Sequence, residues 1–205
     1  AQQGNFAVGF SAGTLGAGVD AIYGVSDRLN LRANFRAFDR SADFEADGNG
    51  SELDYSGDLE LSNLGFGIDY HPFDGGFRFS AGLQISGNEV TATATCNRAG
   101  GCSFGNGIIP QGSSATANFD LSGTHPYVGI GWGNPVSDGI PFGLFFDFGL
   151  MFQGTPEVSV VAQCDAAFQA QCDSDAEDEE RELQEDAEDF EVYPIVNVGL
   201  RWRFK

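Results

Sequence analysis

The sequence predicts an all-β protein, namely an eight-stranded antiparallel up-and-down transmembrane β-barrel with long extracellular loops. Apolar and polar residues alternate strictly in eight segments, as they do when successive side chains of a strand face opposite sides. Short turns and long loops also alternate along the chain. No apolar run approaches the ~18 residues of a transmembrane helix. The 205 residues fit one barrel domain spanning 1–205.

The composition excludes two broad classes of protein. A formal net charge of −20 is incompatible with a nucleic-acid binder, whose affinity comes from a positive surface. An aromatic content of 13% argues against intrinsic disorder, because so many rings can bury a large area. The chain opens at Ala1-Gln2-Gln3 without a basic and apolar leader, which suits a mature form after signal-peptide removal.

The alternation is clearest over residues 190–205, where the even positions from Phe190 to Phe204 are all apolar and the odd positions are mostly polar or small. Seven further segments follow the same rule, namely 5–12, 16–25, 29–37, 59–70, 77–95, 119–132 and 144–153. Two of them need a one-residue change of phase, near Ser62-Asn63 and near Gly123-Thr124. We interpret both as β-bulges, which add one residue to a strand.

The sequence favours a barrel whose apolar face meets lipid over a soluble sandwich or lipocalin-like barrel with an apolar interior. The polar face is rich in glycine, and aromatic residues lie near strand ends, as in an interfacial girdle. The charges on the polar face also balance, as a closed interior of low dielectric requires. The predicted interior ion-pair network comprises Asp20, Arg32, Arg36, Arg40, Asp58, Glu60, Asp69, Arg78, Asp120, Asp147, Arg201 and Arg203.

The connections fall into two groups by length. Residues 26–28, 72–76 and 134–141 are tight, turn-forming segments, whereas residues 46–52, 97–114 and 165–189 are long; Thr14-Leu15 is the one short link on the long-loop side. Short periplasmic turns and long external loops are typical of outer-membrane barrels, and an even strand number places both termini at the periplasmic end. Segment 77–95 has about twice the ~9–11 residues that cross a bilayer, so we expect the hairpins to project into water.

The four cysteines form two close pairs in sequence, Cys96 with Cys102 and Cys164 with Cys172. Neither pair has zinc-ligand spacing, and both histidines are far from them. Disulfides in an oxidising compartment are therefore expected. Three connectivities remain open, and local pairing is the preferred one.

The last strand, Asn197-Val198-Gly199-Leu200-Arg201-Trp202-Arg203-Phe204, resembles the C-terminal signal read by the barrel assembly machinery, with Asn197, Gly199, Trp202 and Phe204 at its defining positions. Lys205 departs from that pattern, which usually stops at the aromatic residue. The whole chain resembles the small eight-stranded outer-membrane barrels of the OmpA-transmembrane, OmpX and OmpW kind. This resemblance implies a bacterial outer membrane and contact with its lipid and lipopolysaccharide. The group includes adhesins, anchors, channels and lipid-modifying enzymes, so it does not select a function.

Two segments contain residue types that occur in catalytic or metal-binding sites. Ser122 and His125, with Asp120 nearby, have the residue types of the lipid A-modifying barrels; the alternative is a structural serine and histidine at a bend before Pro126. His71 precedes Pro72 at a turn, where a structural role is expected.

The acidic run over residues 173–189 begins with Asp173, Asp175 and Glu177, the spacing that starts an EF-hand loop. Asp178 and Gln184 stand where that loop needs glycine and glutamate, so only loose Ca²⁺ or Mg²⁺ binding is expected. Such ions could bridge the loop to lipopolysaccharide phosphates. The alternative is a solvated, partly helical or disordered loop without metal.

Taken together, the sequence predicts a non-enzymatic outer-membrane barrel with no cofactor and an interior plugged by ion pairs. Its expected role is structural or adhesive, with an extracellular protein partner contacting the acidic, disulfide-tied loops. The alternatives are a narrow passive channel for small solutes and then a lipid A-modifying enzyme.

Overall fold

The computed structural model describes residues 5–48, 51–73, 75–104, 107–134 and 141–204. The strands are β1 (Phe6–Gly13), β2 (Gly16–Gly24), β3 (Leu29–Gly48), β4 (Ser51–Tyr70), β5 (Phe77–Ser86), β6 (Glu89–Cys96), β7 (Cys102–Phe104), β8 (Gly107–Ile109), β9 (Ser114–Asp120), β10 (Gly123–Trp132), β11 (Phe142–Phe152), β12 (Glu157–Gln163) and β13 (Val192–Phe204). Helix α1 (Gln169–Ala187) and a 3₁₀ turn (Glu188–Phe190) separate β12 from β13. Within the described ranges, no helix is long and apolar enough to cross a membrane.

Eight strands close into an antiparallel ring, which confirms the predicted fold class. The order around the ring is β1, β2, β3, β4, β5, β10, β11 and β13. The ring closes between the first and last strands, where Phe6 lies opposite Phe204 and Gly13 opposite Asn197. The chain therefore enters and leaves the barrel at one end, called here the termini end.

The outer wall of the barrel is apolar. On β4, Leu64, Phe66, Ile68 and Tyr70 are 39–52% exposed, and the same alternation continues around the ring. A band of exposed aromatic residues lies at the termini end: Phe6, Tyr23, Tyr70, Trp132, Phe142, Trp202 and Phe204. An apolar surface of this extent bounded by an aromatic girdle is the surface that a bilayer covers.

At the opposite end, part of the wall continues far beyond the ring. Strands β3 and β4 each have 20 residues, and their outer halves pair in one sheet with β6, β9 and β12, in the order β3–β4–β6–β9–β12. We call residues 38–48 and 51–60 together with β6, β9 and β12 the projecting sheet. Helix α1 packs on β12, and β7 and β8 form a small separate hairpin.

The predicted continuous strand over 77–95 is interrupted at Gly87 and Asn88, between β5 and β6. The side-chain oxygen of Asn88 accepts hydrogen bonds from the Ser62 N–H (3.1 Å) and from Nδ2 of Asn63 (2.8 Å). These bonds satisfy the Ser62 N–H and the Asn63 side chain of β4, which lie beside the interruption between β5 and β6. Strand β6 then pairs with both β4 and β9, which confirms the expected projecting hairpins.

Neither predicted bulge accounts for its change of phase. Ser86 lies opposite Gly123 and Glu89 opposite Asp120, so two residues separate these pairs on each side and the register is unbroken through Gly123-Thr124. A one-residue difference exists only towards the other neighbour, where residues 121–126 lie beside residues 152–156. Between β3 and β4, Ala37 faces Ser62 and Arg36 faces Asn63, again in one unbroken register. No residue is inserted at Ser62-Asn63.

The changes of phase in β4 and between β9 and β10 arise from a reversal of polarity. Within the ring, the lumen-facing positions are polar or small, whereas on the projecting sheet the same face carries partly buried apolar side chains such as Leu59 and Val90. The outer face changes in the opposite sense, from apolar to acidic. Because water instead of lipid now surrounds the sheet, its apolar residues turn inward.

This reversal corrects four residues of the predicted interior network. Asp58, Glu60 and Asp120 are exposed on the outer, acidic face of the projecting sheet. Arg40 lies on the inner face, but it is exposed because β3 has already left the ring at that height. These four side chains therefore lie outside the lumen.

Candidate functional site: the lumen and the projecting sheet

The middle of the lumen is closed by a cluster of two arginines and two aspartates from four strands. Arg32 on β3 binds Asp69 on β4 (2.7 Å) and reaches across to Asp147 on β11 (2.9 Å). Arg78 on β5 binds the other oxygen of Asp147 (2.5 Å) and lies 3.7 Å from Asp69. Each carboxylate thus touches both guanidinium groups, and the formal charges within the cluster cancel. Buried charges are retained only when they are paired in this way.

A second ion pair lies next to it on β2 and β3. Arg36 donates to Asp20 (2.9 Å), to Asn34 (2.6 Å) and to the Ser11 hydroxyl (3.1 Å), and Ser11 donates to Asp20 (2.7 Å). Arg36 and Asp20 are almost fully buried. The pair is therefore held by a shell of neutral polar groups.

The remaining lumenal charges do not balance as the sequence predicts. Arg201 and Arg203 lie on the lumen side of β13 near the termini end, with Arg203 buried and Arg201 partly buried. Three aspartates, at 20, 69 and 147, then face five arginines among the described lumenal residues, which leaves a formal excess of two positive charges. The predicted neutrality is wrong because the sequence assigned three projecting acids to the lumen.

Apolar side chains fill the space that the ion pairs leave. The Phe145 ring lies beside both arginines of the central cluster, with its centroid 5.8 Å from Arg32 and 5.9 Å from Arg78. Towards the projecting sheet, Leu15, Met151 and Ile195 form a fully buried layer with partly buried Tyr127 and Tyr193. Phe145 and Leu15 were not predicted as lumenal residues, although Phe145 was visible in sequence as a large ring on the polar face of its strand.

One cavity within the lumen has a volume of about 30 Å³ and is bounded by Arg32, Arg36, Gln84, Tyr127 and Asp147. A volume of this kind holds roughly one or two water molecules. The buried Gln84 side-chain oxygen has no hydrogen-bond partner among the described residues, so such a water has an acceptor there.

The two disulfides are the local ones, Cys96–Cys102 and Cys164–Cys172, which are the preferred pairing of the three open ones. Cys96, Cys102 and Cys172 belong to one buried cluster with Ile109, Ala162 and Ala176. Both disulfides thus join the β7–β8 hairpin and α1 to the top of the projecting sheet.

Side chains of helix α1 also form hydrogen bonds with the backbone groups of β12 on the side that does not pair with β9. Gln184 accepts from the Val158 N–H (3.0 Å) and donates to the Pro156 carbonyl (2.9 Å). Glu180 accepts from the Val160 N–H (2.9 Å), and Gln169 from the Cys164 N–H (2.9 Å). These side chains occupy backbone groups that a further strand would otherwise use. The sequence predicts a solvated, partly helical or disordered loop here, and it does not predict the contact with the strand.

The structure does not form a nucleophile–base pair from Ser122 and His125. The Asp120 carboxylate accepts the Ser122 N–H (2.7 Å), and the hydrogen bonds from the Ser122 hydroxyl and N–H hold the pKa of the Asp120 carboxyl below its usual value. The His125 ring lies 3.3 Å from the Leu121 carbonyl. His71 contacts the Asn30 side chain (3.1 Å), in keeping with its expected structural role.

The candidate metal ligands do not converge. Asp173, Asp175 and Glu177 lie on α1, where a two-residue spacing turns side chains about 200° apart. Asp173 instead accepts a hydrogen bond from Gln169 (2.7 Å). Among the described residues, no group of three acidic, histidine or cysteine side chains is arranged to hold a metal ion. The helix thus rules out an EF-hand-like loop at these residues, and loose Ca²⁺ or Mg²⁺ binding stays a prediction.

The residues of the predicted assembly signal divide between the two faces of β13. Asn197 and Gly199 face the lumen, whereas Trp202 and Phe204 are exposed in the aromatic girdle. A Cβ atom at Gly199 would collide with the Phe145 ring, so packing alone requires glycine there. Recognition of these residues by the assembly machinery stays a prediction.

These features define a class: an eight-stranded transmembrane β-barrel with a filled lumen and a sheet that projects from one end. No protein-family model and no curated protein matches the chain. Among solved structures, the chain is similar to Acinetobacter baumannii CarO2, with a TM-score of 0.67 and 19% sequence identity over 100% of both chains. It is also similar to Acinetobacter baumannii CarO, with a TM-score of 0.61 and 17% identity over 97% of each chain. At these identities the likeness shows a shared fold.

Proposed function

We propose that this protein is a non-enzymatic, non-conducting barrel of a bacterial outer membrane that anchors an interaction platform outside the cell. The platform consists of the projecting sheet and α1. The observation that carries the proposal is the occupied lumen, which contains the ion pairs, Phe145 and the buried layer of Leu15, Met151 and Ile195.

The proposed orientation places both termini in the periplasm. It is supported by the short connections at the termini end and by the long strands at the other, which is the usual arrangement in outer-membrane barrels. Two disulfides on the projecting sheet suit an oxidising environment.

The proposed partners follow from the two surfaces. Outer-membrane lipid covers the apolar wall, and the assembly machinery reads the last strand during biogenesis. Lipopolysaccharide surrounds the base of the projecting sheet, where Ca²⁺ or Mg²⁺ would be needed between its phosphates and the exposed acids. An extracellular protein would contact the sheet itself, since a rigid scaffold is a common carrier of binding residues.

Single-channel recording in planar bilayers tests the closed lumen. We expect no discrete conductance steps from the purified protein, whereas a porin reconstituted in parallel must give them. Steady steps that scale with protein amount would contradict the proposal and favour the narrow channel. Lipid A mass spectra after overexpression test the non-enzymatic assignment, and a new acyl or deacylated species would overturn it.

A further inference from the structure

The two edges of the projecting sheet differ in whether their backbone groups are used. The β12 edge is occupied by side chains of α1. At the opposite edge, β2 stops pairing at Ala17, which faces Ala37, while β3 continues to Gly48. Within the described ranges, residues 38–48 pair on one side only, with β4.

The hydrogen bonds lower on β3 show which backbone groups face this open edge. The Val25 N–H donates to the Leu29 carbonyl on the β2 side (2.9 Å), and the His71 N–H donates to the Arg28 carbonyl on the β4 side (2.8 Å). Odd-numbered residues of β3 therefore point their backbone groups towards β2, and even-numbered residues towards β4. Continued through the unbroken register with β4, this alternation directs the N–H and C=O of Asp39, Ser41 and Asp43 into the open edge.

The side chains beside the edge define the chemistry of an added strand. Asp39 and Asp43 are exposed on the outer face, and Asp58 is exposed on the neighbouring β4. On the inner face, Phe38 is 42% exposed, Ala42 is exposed, and the exposed Arg40 lies between them. A strand paired with β3 would thus place alternate residues against carboxylates. The residues between them would lie against Phe38, Ala42 and the cationic Arg40, a surface that favours apolar over basic side chains.

We propose that the open edge of β3 binds an extended basic segment of a partner protein by strand addition. The segment carries lysine or arginine at every second position and apolar residues between them. A second copy of the chain is disfavoured as occupant, because pairing two such edges would bring aspartates together. This proposal rests on the proposed interaction role and names the site and chemistry of its partner.

The direct test is binding of a labelled nine-residue peptide of alternating lysine and valine to the full chain in neutral detergent, followed by fluorescence anisotropy. The matched control peptide has the same composition, with its lysines and valines in two blocks. We expect the alternating peptide to bind at least about tenfold more tightly, because only its charges and apolar groups face opposite sides. Methylating the backbone nitrogens that face β3 should abolish that advantage.

Substitution of Ser41 by proline tests the edge itself. Ser41→Pro removes an N–H that points to the open edge and leaves the ladder to β4 intact, which is where strands tolerate proline. We expect binding to weaken at least about tenfold, while the circular dichroism spectrum and the heat-modifiable gel mobility stay unchanged.

Charge variants separate strand pairing from general attraction. The double variant Asp39→Asn/Asp43→Asn should weaken binding about two- to tenfold, as expected for two exposed ion pairs. Glu89→Gln/Glu157→Gln removes the same charge from the same face, but away from β3, and should change binding less than twofold.

Three results would overturn the proposal: equal binding of both peptides, unchanged binding to Ser41→Pro, or equal effects of the two charge variants. A dimer that Ser41→Pro dissociates would also overturn it, by assigning the edge to a second copy. These outcomes leave the conductance test untouched, so failure of this inference is distinguishable from failure of the proposed function.

Discussion

The two halves of β4 form one regular strand with opposite polarity. In the ring, Phe66 faces outward and Asn63 inward; on the projecting sheet, Asp58 faces outward and Leu59 inward. The register with β3 is unbroken between them. The comparison teaches that alternation specifies a strand, while the medium on each side decides which face is apolar.

The largest expected effect tests whether the ion pairs inside the ring stabilise the barrel more than the exposed acids of the projecting sheet do. Asp147→Asn removes a carboxylate that binds both Arg32 and Arg78 in the lumen. Loss of one partner of a buried pair typically costs about 3–5 kcal/mol, so the free energy of unfolding in lipid vesicles should fall by about that amount. The control is Asp58→Asn on the projecting sheet, which should cost less than about 0.5 kcal/mol. Equal costs would mean that the lumenal pairs do not stabilise the barrel.

The next effect tests the outer faces directly. Phe66→Arg places a charge on the lipid-facing wall and should cost about 2–4 kcal/mol if that position lies near the bilayer midplane. Ser56→Arg places the same charge on the same face of β4, but beyond the ring, where water covers it. Its expected cost is near zero, measured by the same denaturant titration. Similar costs for both variants would contradict the placement of the membrane boundary between them.

A smaller effect separates packing from recognition at Gly199. Gly199→Ala places a methyl group against the Phe145 ring and should cost about 1–3 kcal/mol in refolded protein. The double variant Gly199→Ala/Phe145→Leu should recover part of that loss in vitro. If assembly in cells remains impaired in the double variant, Gly199 also serves the assembly machinery. If refolding is unaffected by Gly199→Ala, the packing explanation is wrong.

The smallest effect concerns the covered edge of the projecting sheet. Gln184→Ala removes the hydrogen bonds to Val158 and Pro156 and should cost about 0.5–1.5 kcal/mol, confined to β12 and α1. Faster hydrogen exchange at the Val158 amide would report it, with Glu182→Ala on the exposed side of the same helix as control. Exchange that is unchanged in Gln184→Ala would contradict the edge-covering role of α1.

Sequence alone predicts the ring because alternation is a local property that each strand carries by itself. It also predicts Arg32, Arg36, Arg78, Asp20, Asp69 and Asp147 in the lumen, where polar side chains lie on strands of membrane-crossing length. The errors at Arg40, Asp58, Glu60 and Asp120 have one cause: the pattern does not say at what height a strand leaves the bilayer.

The docking of helix α1 on β12 is the other part of the fold that the local sequence pattern does not predict. The acidic residues of α1 repel one another, so composition favours an open loop as much as a helix. What orders the segment is tertiary contact, through the buried Cys172 and Ala176 and through side chains that reach the backbone of β12. Contacts of that kind join side chains of one element to the backbone of another, and the periodicity of apolar residues in the sequence does not predict them.

The uneven height of the barrel wall has a consequence for how the molecule meets its surroundings. The turn between β1 and β2 ends level with Ala37, whereas β3 runs 11 residues further, roughly 35 Å along the strand. The rim opposite the termini end is therefore open on one flank, and a neighbouring molecule can reach β3 from the side. Rotation of the barrel about the membrane normal then decides which way the open edge of β3 faces. Neighbouring proteins packed in the same membrane could therefore block or leave free the access to this edge.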